Sequence, residues 1–297
     1  MNPEGDFKSY TTAQQKRINA ALRGYLPRAS CRPRTLHESM RYSVFAGGKR
    51  LRPILCLAAA EACGASDTLA MPAACAVEFV HTYSLIHDDL PCMDDDDLRR
   101  GNPTNHKVYG EAVAVLTGDA LLSLAFEIMG LSQPAGKHSP GDMIHELAVT
   151  SGSKHLVGGQ VMDIEGEGAA LSGQELRYIH ESKTAALLTC SLRLGAMAAG
   201  ATPRKLASLS EFGQATGLAF QVIDDILDIT QSSDKLGKSA GKDLAADKTT
   251  YPALHGLEKS RREAARLTAN AIAALKPLGN KASRLHEIAS YLLERDY

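Results

Sequence analysis

Six aspartates crowd into ten positions of this chain, Asp88, Asp89 and Asp94 to Asp97, and Arg99 and Arg100 follow directly. Carboxylates this close repel one another. At ~5 Å and an effective dielectric of ~20, each pair costs on the order of 3 kcal/mol. Bound cations would relieve that cost, and oxygen-only ligands select Mg²⁺ or Ca²⁺ over zinc. Mg²⁺ takes one or two protein carboxylates and completes its shell with water and substrate phosphate. The adjoining arginines suit phosphate, which a guanidinium grips in two places. The competing reading is a solvated acidic loop or a calcium site. Two details favour a Mg²⁺–polyphosphate clamp. The aspartates emerge from an apolar run, Ala73 to Ile86, and their spacing lacks the central Gly and distal Glu of an EF-hand loop.

The second half repeats this chemistry. Asp224, Asp225 and Asp228 stand at i, i+1 and i+4, with Gln221 one turn earlier. On a helix, Gln221, Asp228 and one of the paired aspartates share a face. Val222, Ile223, Ile226, Leu227 and Ile229 would bury the rest. Carboxylates on a core helix are costly without a counter-charge. Two facing clusters of this kind could hold a diphosphate between them through several Mg²⁺ ions.

A third feature is basic. Gly47 and Gly48 end a helix, Lys49, Arg50 and Arg52 follow, and Pro53 suits the first turn of the next helix. Cationic side chains at a glycine turn beside a helix N-terminus form an anion site; the alternative is a basic surface turn.

With these residues in view, the chain resembles the trans-isoprenyl diphosphate synthases, the family of farnesyl and geranylgeranyl diphosphate synthases, from about His37 to the C-terminus. The run Asp88-Asp89-Leu90-Pro91-Cys92-Met93-Asp94 matches the longer, bacterial and plant form of that family's first aspartate-rich motif. Asp224-Asp225-Ile226-Leu227-Asp228 matches the second, and Gly47-Gly48-Lys49-Arg50-Leu51-Arg52-Pro53 the basic motif. The resemblance implies an all-α fold of the isoprenoid synthase type, about ten or more helices around a central cavity. It implies isopentenyl diphosphate at Lys49, Arg52, His81 and Arg100, with Arg50 less clearly involved. It implies an allylic diphosphate at Arg99, Lys183, Thr184, Gln221, Lys238 and Lys248. Asp88, Asp89, Asp94, Asp224 and Asp228 would hold several Mg²⁺ ions. Asp88, Asp94, Lys183 and Asp224 would carry the catalysis, and the chain would be a homodimer.

Product length is read from Tyr83, five residues and ~7.5 Å along a helix axis before Asp88. A growing chain would run along this helix, and a bulky ring could act as its floor. In the family, large residues here accompany short products. The expectation is a fifteen-carbon product, farnesyl diphosphate, from isopentenyl diphosphate and dimethylallyl or geranyl diphosphate. The alternatives are a geranylgeranyl diphosphate synthase with a deeper cavity and a catalytically silent regulatory subunit. The silent subunit would be expected to have lost a clamp, and both are present. A terpene cyclase has no need of the second diphosphate site at the basic motif.

The elements that must position these residues read as helices. Alanine and leucine are abundant, aromatics make up 5% of the 297 residues, and period-2 alternation is scarce. No linker or composition break divides the chain, which points to one domain with residues 1–34 as a partly frayed start plus one helix that Pro27 and Pro33 end. Pro91 cannot continue the first motif's helix, so a distorted turn should bring Asp94 back towards Asp88. Gly158 and Gly159 interrupt a later helix beside Gln160 and Asp163, which could hydrogen-bond to each other. Ser172-x-x-Glu175 is a capping box, and Leu176, Ile179, Lys183, Leu187 and Cys190 follow at helical spacing. Lysine on such a stripe is unusual. The polar stretch Asp234 to Lys248 reads as a flap over the site. The net charge of −1 argues against bulk attraction to nucleic acid. Six cysteines without a C-x-x-C pair suit a reducing, cytoplasmic setting, and the polar N-terminus carries no signal peptide pattern. No apolar run reaches spanning length without polar interruption, so stable membrane insertion is not expected.

Overall fold

The computed structural model describes residues 3–230 and 249–293, with side chains from residue 7. Among these residues the chain is helical apart from its turns and one two-residue hairpin. The helices are α1 (Pro3–Tyr25), α2 (Arg34–Phe45), α3 (Leu51–Cys63), α4 (Met71–Asp88), α5 (Asn105–Tyr109), α6 (Glu111–Gly130), α7 (Pro140–Ser151) and α8 (Leu156–Glu165). After them come α9 (Gly173–Ile179), a π-helical turn (His180–Ala185), α10 (Ala186–Ala198) and α11 (Pro203–Thr230). The last are α12 (Tyr251–His255), α13 (Leu257–Ala274) and α14 (Ser283–Leu293). The all-α expectation holds.

One buried cluster runs from Ile18 in α1 to Leu293 in α14. Helices α3, α4 and α10 are hydrophobic nearly all round, which fits burial at the centre. Small residues let them approach closely. A Cβ at Gly195 in α10 would overlap the Cys56 carbonyl of α3, and one at Gly217 in α11 would overlap Ala185 of the π turn. Backbones in such contact tolerate no added methyl without moving.

The N-terminal segment holds the one helix expected of it: α1 docks Ile18 and Leu22 into the core, both fully buried. The structure corrects other expectations. Gly158 and Gly159 lie inside α8 and do not interrupt it. Ile229, expected to be buried, is 46% exposed. Two helical stretches, Asp67–Asp88 and Glu111–Gly130, are long and apolar enough to cross a membrane by length and composition. They pack against each other within the bundle.

Candidate active site

The first aspartate cluster leaves the end of α4 as expected. After Pro91 the chain doubles back, and the Asp94 N–H donates to the Asp88 carbonyl at 2.9 Å. A hairpin pairing Leu98 with Pro103 and Arg99 with Asn102 then returns two arginines towards α4. Arg99 Nε donates to both oxygens of Asp89, at 2.7 and 2.9 Å. Asp89 is buried, so this pairing occupies a carboxylate that the resemblance offered as a metal ligand. Asp97 instead faces outward, 2.6 Å from Lys107. Asp88 is the poorly compensated member. Burial raises its carboxyl to about 6, Lys183 and Arg99 oppose the rise, and Asp94 and Asp89 add to it.

The basic motif splits into two roles. Arg50 is structural: it is buried in a left-handed conformation, φ 54°, at the start of α3. Its guanidinium pairs with buried Glu78 at 2.7 Å and donates to the Val44 carbonyl at 2.6 Å. Arg52 and His81 come together, Nη1 to Nε2 at 3.4 Å, and Arg52 Nε is buried without a hydrogen-bond partner. Burial pushes the Arg52 guanidinium down to about 10. Burial, then Arg52 and Arg100, hold His81 well below its ordinary value, so its imidazole is neutral near pH 7. Arg100 lies across the glycine turn, donating from Nη1 to the Gly47 carbonyl at 2.5 Å. A Cβ at Gly48, whose φ is +119°, would overlap that guanidinium. Lys49 is exposed, with its ammonium 5.6 Å from the centre of the Tyr291 ring in α14. Cations gathered around a neutral imidazole, one with an orphaned N–H, form a site for an anion.

The second cluster is built from α8, the π turn after α9, and α11, with Tyr251 of α12 against it. The capping box forms in full, with Glu175 N–H on Ser172 Oγ and Ser172 N–H on a Glu175 carboxylate oxygen. The helix it starts widens into the π turn that carries Lys183 and Thr184. Such turns frequently mark functional sites. Gly159 allows it: a Cβ there would overlap the Lys183 backbone. Lys183 Nζ meets Asp163 at 2.7 Å, a partner 20 residues earlier. The expected Gln160–Asp163 bond is replaced by this pair, and Gln160 Nε2 is buried without a partner. A cavity of about 210 Å³ is lined by Asp163, His180, Lys183, Thr184, Gln221 and Asp224, among others. The middle aspartate is tied into the fold. Asp225 Oδ2 accepts the Tyr251 N–H at 2.8 Å and lies 3.7 Å from His180. Asp228 is buried, with one carboxylate oxygen lacking a hydrogen-bond partner. Lys238 and Lys248, and the flap to which they were assigned, lie outside the described residues.

Sequence reasoning missed Asp163 as the partner of Lys183, and Glu78 as the partner of Arg50. No local spacing announces either pair, since their members are 20 and 28 residues apart. Tyr83 is 6% exposed and lines neither the 210 Å³ cavity nor a smaller one between α2 and α4. Burial, then Asp88, raises its hydroxyl to about 12.

The donor set fits a hard cation. Among the described residues no three His, Cys, Asp or Glu side chains form a closed metal cage. Mg²⁺ needs no such cage where substrate phosphates complete its shell. The under-compensated Asp88 and the orphaned oxygen of Asp228 are the kind of donors it takes.

Paired acidic clusters, an anion pocket and a helical bundle define a diphosphate-handling enzyme of the all-α class. The chain belongs to the polyprenyl synthetase family, whose model matches residues 33–289, and it is a trans-prenyltransferase that elongates prenyl chains. It is similar to the chloroplastic geranylgeranyl pyrophosphate synthase of Catharanthus roseus, 52% identical over 98% of this chain and 82% of that protein. The large subunit 1 of a heterodimeric geranylgeranyl pyrophosphate synthase of Arabidopsis thaliana is 51% identical over 98% of this chain and 80% of that protein. Among solved structures, a putative farnesyl-diphosphate synthase from Marinomonas sp. MED121 superposes with a TM-score of 0.84. It is 39% identical, over 97% of this chain and 98% of that one.

Proposed function

We propose that this chain is a geranylgeranyl diphosphate synthase, adding isopentenyl units to an allylic diphosphate until twenty carbons are reached. The observation that carries this reading is the run of relatives, 48–52% identical over nearly the whole chain, that bear that name. The farnesyl reading drawn from Tyr83 becomes the second one, favoured by the likeness to the Marinomonas protein. Both aspartate clusters are present, which speaks for an active subunit.

In this reading Arg52, His81, Arg100 and Lys49 hold isopentenyl diphosphate. Neutral His81 serves as a hydrogen-bond donor, leaving the charge to the arginines. Lys183, Thr184 and Gln221, with Arg99, hold the allylic diphosphate, and Lys238 and Lys248 join that set by resemblance. Asp88, Asp94, Asp224 and Asp228 would hold Mg²⁺, with Asp89 acting through Arg99. Bound Mg²⁺ supplies Lewis-acid neutralisation of the diphosphate. As the allylic C–O bond breaks, the Lys183 ammonium, fixed by Asp163, stabilises charge developing on the leaving oxygens. The anion pocket holds the isopentenyl double bond close to the allylic carbon, so that attack is effectively intramolecular. The departing diphosphate takes the final proton. The buried apolar helices keep water from the cation.

A homodimer accompanies this reading. The face of α6 leaves Val115 and Leu116 exposed, at 40% and 58%, on an otherwise apolar helix. A cytoplasmic setting is consistent with six free cysteines. The test is to supply Mg²⁺, isopentenyl diphosphate and dimethylallyl diphosphate and to measure product length, with light scattering on the same sample. Twenty carbons from a dimer are expected. Fifteen carbons would return the farnesyl reading, and no product from any primer would revive the silent subunit.

A further inference from the structure

Helix α1 lies outside all the motifs, yet it reaches the basic glycine turn directly. Gln15 Nε2 donates to the Lys49 carbonyl at 2.9 Å. One turn on, Asn19 Oδ1 accepts from Arg50 Nε at 2.9 Å. Towards the start of α1, the Phe7 ring packs against the Tyr291 ring of α14, centroids 5.4 Å apart. Tyr291 is the ring over which the Lys49 ammonium sits. Phe7, Gln15 and Asn19 are spaced by multiples of four, so one stripe of the helix makes all of these contacts.

The turn needs such support. Gly47, Gly48 and Arg50 all have positive φ, at 107°, 119° and 54°. A left-handed conformation is costly for a residue with a Cβ and persists where its surroundings enforce it. Lys49 lies between Gly48 and Arg50, with its side chain exposed. Holding its carbonyl holds the peptide from which the ammonium reaches out. Arg50 opens α3, so the grip of Asn19 also sets the helix start that carries Arg52 two residues later. Binding a diphosphate immobilises an exposed lysine, and a backbone already fixed lowers that cost. We propose that Gln15 is a positioning residue for isopentenyl diphosphate, acting through Lys49, which makes α1 part of the substrate site as well as of the core. The inference rests on the placement of that substrate at Lys49 and holds for either product length.

The test measures steady-state KM for isopentenyl diphosphate at saturating geranyl diphosphate and Mg²⁺, and then KM for geranyl diphosphate. The proteins are wild type, Gln15→Met, Lys49→Ala and the double variant. Methionine is similar to glutamine in length and helix preference but has no N–H to donate. Gln15→Met should raise the isopentenyl diphosphate KM about fivefold, the scale of one net hydrogen bond. Its kcat and its geranyl diphosphate KM should stay at the wild-type values. Lys49→Ala should raise the isopentenyl diphosphate KM further. The double variant should be no worse than Lys49→Ala, because the two residues act as one unit. An unmoved KM in Gln15→Met, with Lys49→Ala still raising it, overturns the inference alone. A joint rise of both KM values in Gln15→Met, or effects that multiply in the double variant, also overturns it, since Gln15 would then act through general packing. Lys49→Ala without effect overturns the substrate placement beneath it. Should Gln15→Met fail to fold, Gln15→Ala carries the test with the same expected outcomes.

Discussion

The two aspartate clusters carry the same side chains but settle their charge differently. In the first, compensation comes from nearby sequence: Arg99, ten residues on, folds back over Asp89 through a hairpin. In the second it comes from distant chain. Asp225 accepts a backbone N–H 26 residues later, and Lys183 reaches the cavity from a π turn on another helix. Each keeps one carboxylate poorly satisfied, Asp88 in the first and Asp228 in the second. In both, one aspartate is taken up by the fold while another stays poorly compensated. A charge used for binding must be under-compensated beforehand, and the surrounding structure has to bear that cost.

Substitutions can break this symmetry or sharpen it. Asp88→Ala and Asp224→Ala should each lower kcat by about 10³-fold, as losses of transition-state electrostatics do. A much smaller effect at Asp224, in steady-state assays with geranyl diphosphate, would show that the second cluster only binds. Lys183→Ala should cost about 10²-fold in kcat. Asp163→Asn should cost less, because the ammonium stays while its fixing partner weakens. The same assay separates them.

The second cluster also contains a titrating group. Burial pushes His180 down to about 4, below its ordinary value near 6.5. At this group the unfolded chain binds a proton that the folded chain resists, so its contribution to stability is lost as pH drops from about 6.5 towards about 4, while Asp88, raised to about 6, contributes in the opposite sense. That slope should flatten in His180→Gln, measured by denaturant unfolding across the range. The smallest effects should separate the structural aspartates. Asp225→Ala strands the Tyr251 N–H and should cost about 1–3 kcal/mol of stability. Asp89→Ala leaves Arg99 half-buried, with Asp96 still 3.7 Å away, and thermal unfolding should register less.

Much of this was legible beforehand. The helical class followed from composition and period. The turn returning Asp94 to Asp88 followed from Pro91, and the start of α9 from Ser172 and Glu175. These are local consequences of backbone chemistry, visible within a few residues. Arg50 illustrates the opposite case. In sequence it looks equivalent to Lys49 and Arg52, yet burial against Glu78 makes it part of the scaffold. Tyr83 illustrates it again: its distance from Asp88 is fixed by helix rise, but its edge-on contact with His87, whose ring sits where a Cβ at Gly118 of α6 would be, is decided by the packing.

The sequence by itself determined that helices would carry the motifs and which side chains are the candidates for diphosphate and metal, because motif spacing and helical period are short-range properties. Only the tertiary structure decided which of those charges are taken up by partners, which stay available, and where Tyr83 points. Those outcomes depend on burial and on contacts between residues tens of positions apart, which no local pattern encodes.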